Sequence, residues 1–268
     1  MTPGLLESLG VRDYPGFVLV SARVAGLFSA APLWSMAGMP RAARGAVVVV
    51  LSLVLLPSLP GTSVLHDDVV GTGFVLASEV VLGLGIGLTG AVILHGVALA
   101  GEVASFQMGL SLGAALAPMQ ETTEVVGIGQ LQSLFALAIY AGLGGHLILY
   151  QGVSMSLQAV PPGRVLAMGE GVRSVVALAG TIFATGIRAA APVIVALILA
   201  HLALAILGKA VPQLNVMMLS FPITIGLGLM AFGAAFPFLA SFVTGAVEQL
   251  PATVSGTVGA FVPAPGVR

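Results

Sequence analysis

Chemistry in this 268-residue chain could concentrate in two glycine-framed motifs and a few isolated polar residues. Gly109-Leu110-Ser111-Leu112-Gly113 has the G-x-S-x-G spacing of a serine nucleophile. Such a serine needs a histidine base within hydrogen-bond reach and a third group to orient that base. An intramembrane serine hydrolase would have to recruit His146 or His201 to Ser111. The same glycines would equally make a flexible or closely packed loop. Gly85-Ile86-Gly87-Leu88-Thr89-Gly90 matches G-x-G-x-x-G, which cradles a pyrophosphate only where a strand leads into a helix. Here it lies inside an apolar run with no βαβ alternation, so no nucleotide is expected. His66, His95, His146 and His201 stand far apart, with no i, i+4 pair to hold zinc from one helix. They read as hydrogen-bonded packing residues. Without cysteine there is no disulfide, thiolate metal site or cysteine nucleophile. The reading is therefore of no catalytic, cofactor-binding or metal-binding residue.

Three charges are harder to dismiss. Arg23, Glu79 and Arg188 each interrupt an apolar run. A charge in that setting is costly and faces either a partner or an aqueous cavity. Arg23 with Glu79 is the candidate pair. The alternatives are a structural ion pair or subunit contact on one hand, and a pore-lining or gating role on the other. A secondary transporter with Arg23, Glu79 and Arg188 along its path would require an inverted repeat, and no self-similarity is visible.

The elements that position these residues follow from composition. Only nine Lys/Arg and ten Asp/Glu are present, 7% charged, against roughly 25% in a soluble domain. Hydrophobic residues make up 58%, with 36 glycines besides, and the mean hydropathy is +1.12. So few charges cannot coat a water-soluble globule, and so much apolar surface cannot stay solvated as disorder. The net charge of −1, with basic residues scattered singly, gives no footprint for nucleic acid.

A membrane-spanning helix needs about 20 mostly apolar residues. Charge-free windows lie at 24–40, 45–66, 80–101, 125–163, 189–208 and 210–247. Pro57 and Pro60 should end the second helix early, Pro192 should split 174–208, and Pro222 and Pro237 should split 210–247. Six to eight helical segments are expected, several short or kinked. Met1–Tyr14 lacks the basic start of a cleaved signal peptide. Threading these segments as a zig-zag conflicts with the positive-inside rule. Gly101–Glu124 should be cytoplasmic yet carries Glu102, Glu121 and Glu124 and no Lys or Arg. Gln158–Arg173 should lie outside yet holds Arg164 and Arg173. Gly83, Gly85, Gly87, Gly90 and Gly96 crowd one run and imply close helix–helix approach, as in a small-xxx-small pair at Gly83 and Gly87.

Three stretches carry a family resemblance. The first runs from Gly101 and Glu102 through Gln107, Met108, Gly109, Leu110 and Ser111, with Pro118 shortly after. The second leads from Gly145-His146 through Ser156 to Pro161-Pro162-Gly163. The third is Gly208-Lys209-Ala210-Val211-Pro212-Gln213-Leu214-Asn215-Val216, followed by Phe221-Pro222. Arg23, Ala31-Pro32, Pro40 and the run from Glu79 to Gly83 stand in matching order. The chain resembles the FliR/SctT family, the export-gate component of flagellar and injectisome type III secretion, over about residues 15–245. Its short, plain C-terminus looks more like the flagellar branch.

The resemblance implies an all-α, integral membrane-type fold of bent helical hairpins, packed into a larger export-gate complex rather than a zig-zag bundle. Residues 1–250 would be a single helical domain and 251–268 a short tail that frays. It implies a non-enzymatic, cofactor-free subunit beside FliP-like and FliQ-like subunits, with FlhB-like and FlhA-like components nearby. Together they would pass unfolded flagellar proteins through the bacterial inner membrane at the flagellar basal body. The segment Phe106–Met119 maps onto the loop that plugs the closed pore. Gln107, Met108, Gly109, Leu110, Ser111, Leu112, Gly113, Leu116 and Pro118 would form it, although Ala117 stands where the family often has Asp. Apolar side chains there can fill a narrow lumen and resist wetting. Arg23, Glu79, Glu102, Arg188, Lys209, Pro212, Gln213 and Asn215 would be buried polar or assembly residues.

Overall fold

The computed structural model describes residues 14–35, 40–59, 68–110, 128–164, 166–211 and 216–263. Among them are nine α-helices: α1 (Tyr14–Ala30), α2 (Pro32–Ser35), α3 (Arg41–Leu55), α4 (Val69–Gln107), α5 (Ile128–Gly142), α6 (Gly145–Ala159), α7 (Met168–Ala210), α8 (Val216–Glu248) and α9 (Leu250–Ala260). Four segments are long and apolar enough to cross a bilayer: Arg41–Ser58, Val69–Gln107, Met168–Ala210 and Met218–Glu248. A fifth is available if α5 and α6, a pair bent at their junction, form one span. The bend falls at Gly144, whose φ of +72° is left-handed and interrupts the α-helical backbone.

Local chemistry explains several boundaries. α3 begins directly after Pro40 and gives way to a 3-10 turn, Leu56–Ser58, containing Pro57, as its prolines predict. α4 opens on Asp68, whose carboxylate accepts from the Gly71 backbone N–H at 3.3 Å, an acidic cap at the positive end of the helix. α7 carries Glu170 in its first turn and Lys209 in its last, each matched to the helix dipole.

The expected breaks at Pro192, Pro222 and Pro237 do not occur: α7 runs through Pro192, and α8 runs through Pro222 and Pro237. Each proline removes one N–H from the ladder. In so apolar a chain the remaining backbone groups have no better partner than the helix itself. The helices persist for that reason.

Backbone contacts divide the chain into two compact units. The first comprises residues 1–91, 144–179 and 247–268, the second 92–143 and 180–246. In the first unit α1 and α4 cross with backbones nearly touching. A Cβ on Gly83 would strike the Arg23 carbonyl oxygen, and one on Gly26 would strike that of Val80. The core contains Leu19, Val20, Leu82, Ile86, Leu149, Val153 and Leu157. The region 251–260, expected to fray, is instead helical and packs along α6. Pro251 is harmless at a helix start. Leu250, Val254 and Val258 recur every four residues and bury one face. Phe261 is fully buried, and its carbonyl accepts from the Ala167 N–H at 3.0 Å.

In the second unit Ala104, Met108, Val193, Leu197 and Phe232 form a core. Phe135 and Phe232 each pack edge-on against Phe236, with ring centroids 4.8 and 5.0 Å away. Gly101 lies so close to Gly129 that a Cβ on the former would strike the latter's Cα.

Candidate functional site

The Arg23 and Glu79 side chains meet. Arg23, fully buried, donates from Nε to Glu79 Oε2 at 2.6 Å, and Nη2 lies 2.6 Å from the same oxygen. Nη1 donates to Ser156 Oγ at 3.0 Å, and Nη2 also donates to the Val160 carbonyl at 3.0 Å. Glu79, 1% exposed, accepts at Oε1 from the Gly163 N–H at 3.1 Å. Ser156 completes its own bonding by donating to the Val153 carbonyl at 2.7 Å. The charges neutralise each other and most of their donors and acceptors are used. That is the condition under which a buried pair is tolerated. One guanidinium thereby ties α1 to α4, to α6 and to the turn after α6. Gly163, at φ +86°, lets that turn present its N–H to Glu79. The Gly83 contact brings the Arg23 backbone against α4 within four residues of Glu79.

Sequence reasoning found Arg23 and Glu79, because each is a charge in an apolar run. It missed Ser156, Val160 and Gly163 as partners. Two of the three contribute backbone atoms, which no residue type advertises. The only hint was Pro161-Pro162-Gly163, whose composition marks a turn.

The segment resembling the plug begins where α4 ends. Met108 N–H still reaches the Ala104 carbonyl at 3.0 Å, and Gly109 N–H reaches that of Phe106 at 3.0 Å. Gly109 then takes φ +79°, a left-handed conformation that stops the helix. A Cβ at Gly109 would sit 3.2 Å from the Phe221 ring. Met108 is fully buried, and a Cβ at Gly228 would lie only 2.5 Å from its Cγ. Met108 therefore fills the core of its unit and has no surface to offer a lumen, contrary to expectation. The reason is spacing: one helical turn beyond Ala104, it continues that residue's inward face. Gln107 is half-buried and Leu110 is 40% exposed. Ser111, Leu112, Gly113, Leu116 and Pro118 lie outside the described residues, as do Pro212, Gln213 and Asn215.

Glu102, Arg188 and Lys209, expected as buried polar or assembly residues, are exposed in this chain. Among the described residues Arg188 and Lys209 have no acidic partner. The phase of α7 turns Arg188 and Lys209 to an exposed face, while the Glu102 carboxylate lies against Gly129 of α5. Gln132 is 6% exposed with an unpaired Oε1, and lines a cavity of about 10 Å³ with Ala104, Val193 and Phe236, room for about one water. The Gly85–Gly90 motif sits mid-helix in α4, where Gly87 packs against the Leu27 carbonyl, so its glycines serve packing.

Comparison with known proteins matches residues 14–250 to the family model described as bacterial export proteins, family 1. The chain is 29% identical over 228 residues to a protein named flagellar biosynthetic protein FliR from Escherichia coli strain K12, covering 82% of this chain and 84% of that one. It is 27% identical to the protein of the same name from Bacillus subtilis strain 168, with 79% and 82% covered. A third relative, named secretion system apparatus protein SsaT, from Salmonella typhimurium, is 28% identical over 73% of this chain and 76% of its own length.

Proposed function

The chain belongs to the bacterial export proteins, family 1, and from that premise we propose that it both builds and closes the protein-export gate of the flagellum. It is a multi-pass component of the export apparatus in the bacterial inner membrane, and it is not an enzyme. Unfolded flagellar proteins pass through the gate, and the chain shapes their path. Its neighbours are FliP-like and FliQ-like subunits, with FlhB-like and FlhA-like components beyond. Residues 110–118 close the pore at rest.

The observation supporting closure is the end of α4. A 39-residue helix stops on a buried Met108 and a left-handed Gly109. A closing loop needs such a base, because a seal opened by passing substrate must be held at a fixed point to return. Met108 is the anchor in this reading, and the seal begins at Leu110. Arg23 and Glu79 hold the first unit together and do not line the path, since a neutralised pair with no exposed surface has nothing to offer a substrate. Pro212, Gln213 and Asn215 serve assembly, as does Glu102.

Deleting residues 111–116 while retaining Met108 and Gly109 should leave a gate that assembles but leaks small ions. Membrane depolarisation in cells making the variant, with co-purification of the other subunits as the assembly check, reads both. An assembled variant with unchanged permeability refutes the closing role. Replacing Leu110 with Ser should give a smaller leak in the same direction.

A further inference from the structure

One buried polar atom in the second unit has no partner that the surrounding residues can supply. Gln132 lies on α5, one turn after Gly129, whose Cα packs against Gly101 of α4. That glycine pair brings the Gln132 amide over the α4 backbone: a Cβ on Gly101 would lie 2.7 Å from its Oε1. The side chain is 6% exposed, and Oε1 accepts no hydrogen bond. The amide borders a cavity whose other lining residues are all Ala, Val, Phe or Leu, on α4, α7 and α8. None of those side chains carries an N–H or O–H, and the backbone N–H groups beside them are used within their helices. A carboxamide oxygen only accepts, so nothing in the lining can serve it. The whole site lies within one unit, residues 92–143 and 180–246.

We propose that this cavity is a hydration site, in which one bound water donates to Gln132 Oε1 and ties α5 to the helix backbones around it. Three features select water. The cavity, about 10 Å³, has room for about one water molecule, too little for a larger donor. An ammonium ion would match that size, but nothing acidic lines the cavity to offset its charge. An empty cavity would leave a buried amide oxygen unserved, which proteins rarely tolerate; the usual remedy is a water with two to four polar partners. The second hydrogen of this water has acceptors at hand, because a helix carbonyl that already takes one N–H keeps a further lone pair. Alanines make the room. Ala100 and Ala104 on α4 and Ala189 and Ala190 on α7 stop at Cβ where larger side chains would fill the space. The apolar lining offers no side chain to a second water, so the site links helices without forming a chain of waters.

A cryo-electron map of the chain purified with its companion subunits, at a resolution that shows ordered water, reads the site directly. The expected result is a peak at hydrogen-bond distance from Gln132 Oε1 that is lost in the Gln132→Leu complex. A well-defined Gln132 facing vacant density, or a protein side chain in the cavity, overturns the proposal. Thermal unfolding of the same complex gives a second reading. Val193→Ile adds one carbon to the lining, which takes up about the room of a water. With water present, the added carbon expels it and strands the amide. The thermal midpoint should then fall with Gln132 in place, and fall less, or rise, in Gln132→Leu. A rise with Gln132 in place would mean that the cavity was dry, and an equal fall in both backgrounds would mean that no water was displaced; either result refutes the site. Neither reading uses permeability, so loss of the closing role proposed above would leave the hydration site standing.

Discussion

At the scale of single residues, the strongest commitment in the molecule is Arg23. Removing one member of a buried, hydrogen-bonded pair strands the other charge, at about 3–5 kcal/mol. Arg23→Met and Glu79→Leu should each lower the thermal midpoint of the purified complex sharply. Their double replacement should recover much of the loss, because no charge is then left without its partner. A double variant no better than the worse single would show that the pair does not work as a unit. Gly109 is a second such position. Gly109→Ala forces a side chain into φ +79°, at roughly 1–2 kcal/mol, and should loosen the end of α4 without unfolding the unit. Hydrogen exchange at Phe106–Leu110 in the assembled complex measures this, and unchanged protection there would contradict it. The residue types made Arg23 and Glu79 legible as exceptions. Their contact was not legible, because 56 residues separate them and the third and fourth partners are a serine hydroxyl and a carbonyl.

Elements obey a different logic, that of backbone approach. The α1–α4 crossing depends on there being no side chain at Gly83. Gly83→Val has no flexible neighbour to displace, since the obstruction is the Arg23 backbone, and overpacking of this kind costs at least about 1–3 kcal/mol. The variant should fail to accumulate in membranes by immunoblot, whereas Gly45→Ala, in open space on α3, should accumulate normally. α9 yields a complementary expectation. A chain ending at Gln249 loses the faces of Leu250, Val254, Val258 and Phe261, all at most 2% exposed, and bares the α6 surface beneath them. Faster proteolysis of residues 144–164 in the truncated chain is the expected outcome. Here composition misled: Gly, Pro, Thr and Ser suggested fraying, but the four-residue recurrence of apolar positions overrode propensity. The prolines of α7 and α8 misled in the opposite direction. They read as breaks, and the shortage of alternative partners for the backbone kept the helices whole.

For the whole molecule, the exposed apolar surface sets the terms. Phe74, Val176, Phe183, Met218 and Met230 are each more than 60% exposed, far beyond what a monomer in water sustains. The chain made without the other gate subunits should be degraded quickly, and co-expression with FliP-like and FliQ-like subunits should lengthen its lifetime in pulse-chase labelling. An equal lifetime in both conditions would argue that lipid suffices as cover. The sequence alone determined that this surface avoids water, because composition is a sum over residues and needs no coordinates. It determined the family too, since the run from Gly101 to Ser111 and the PQLNV segment are local strings. Which charges are buried was decided only by tertiary structure. Arg23 and Arg188 look alike in sequence, each a lone cation in an apolar run. One meets a carboxylate brought to it across a glycine crossing, and the other is turned outward by the phase of its helix. Burial depends on what lies opposite a side chain in space, and the sequence around an arginine does not carry that information.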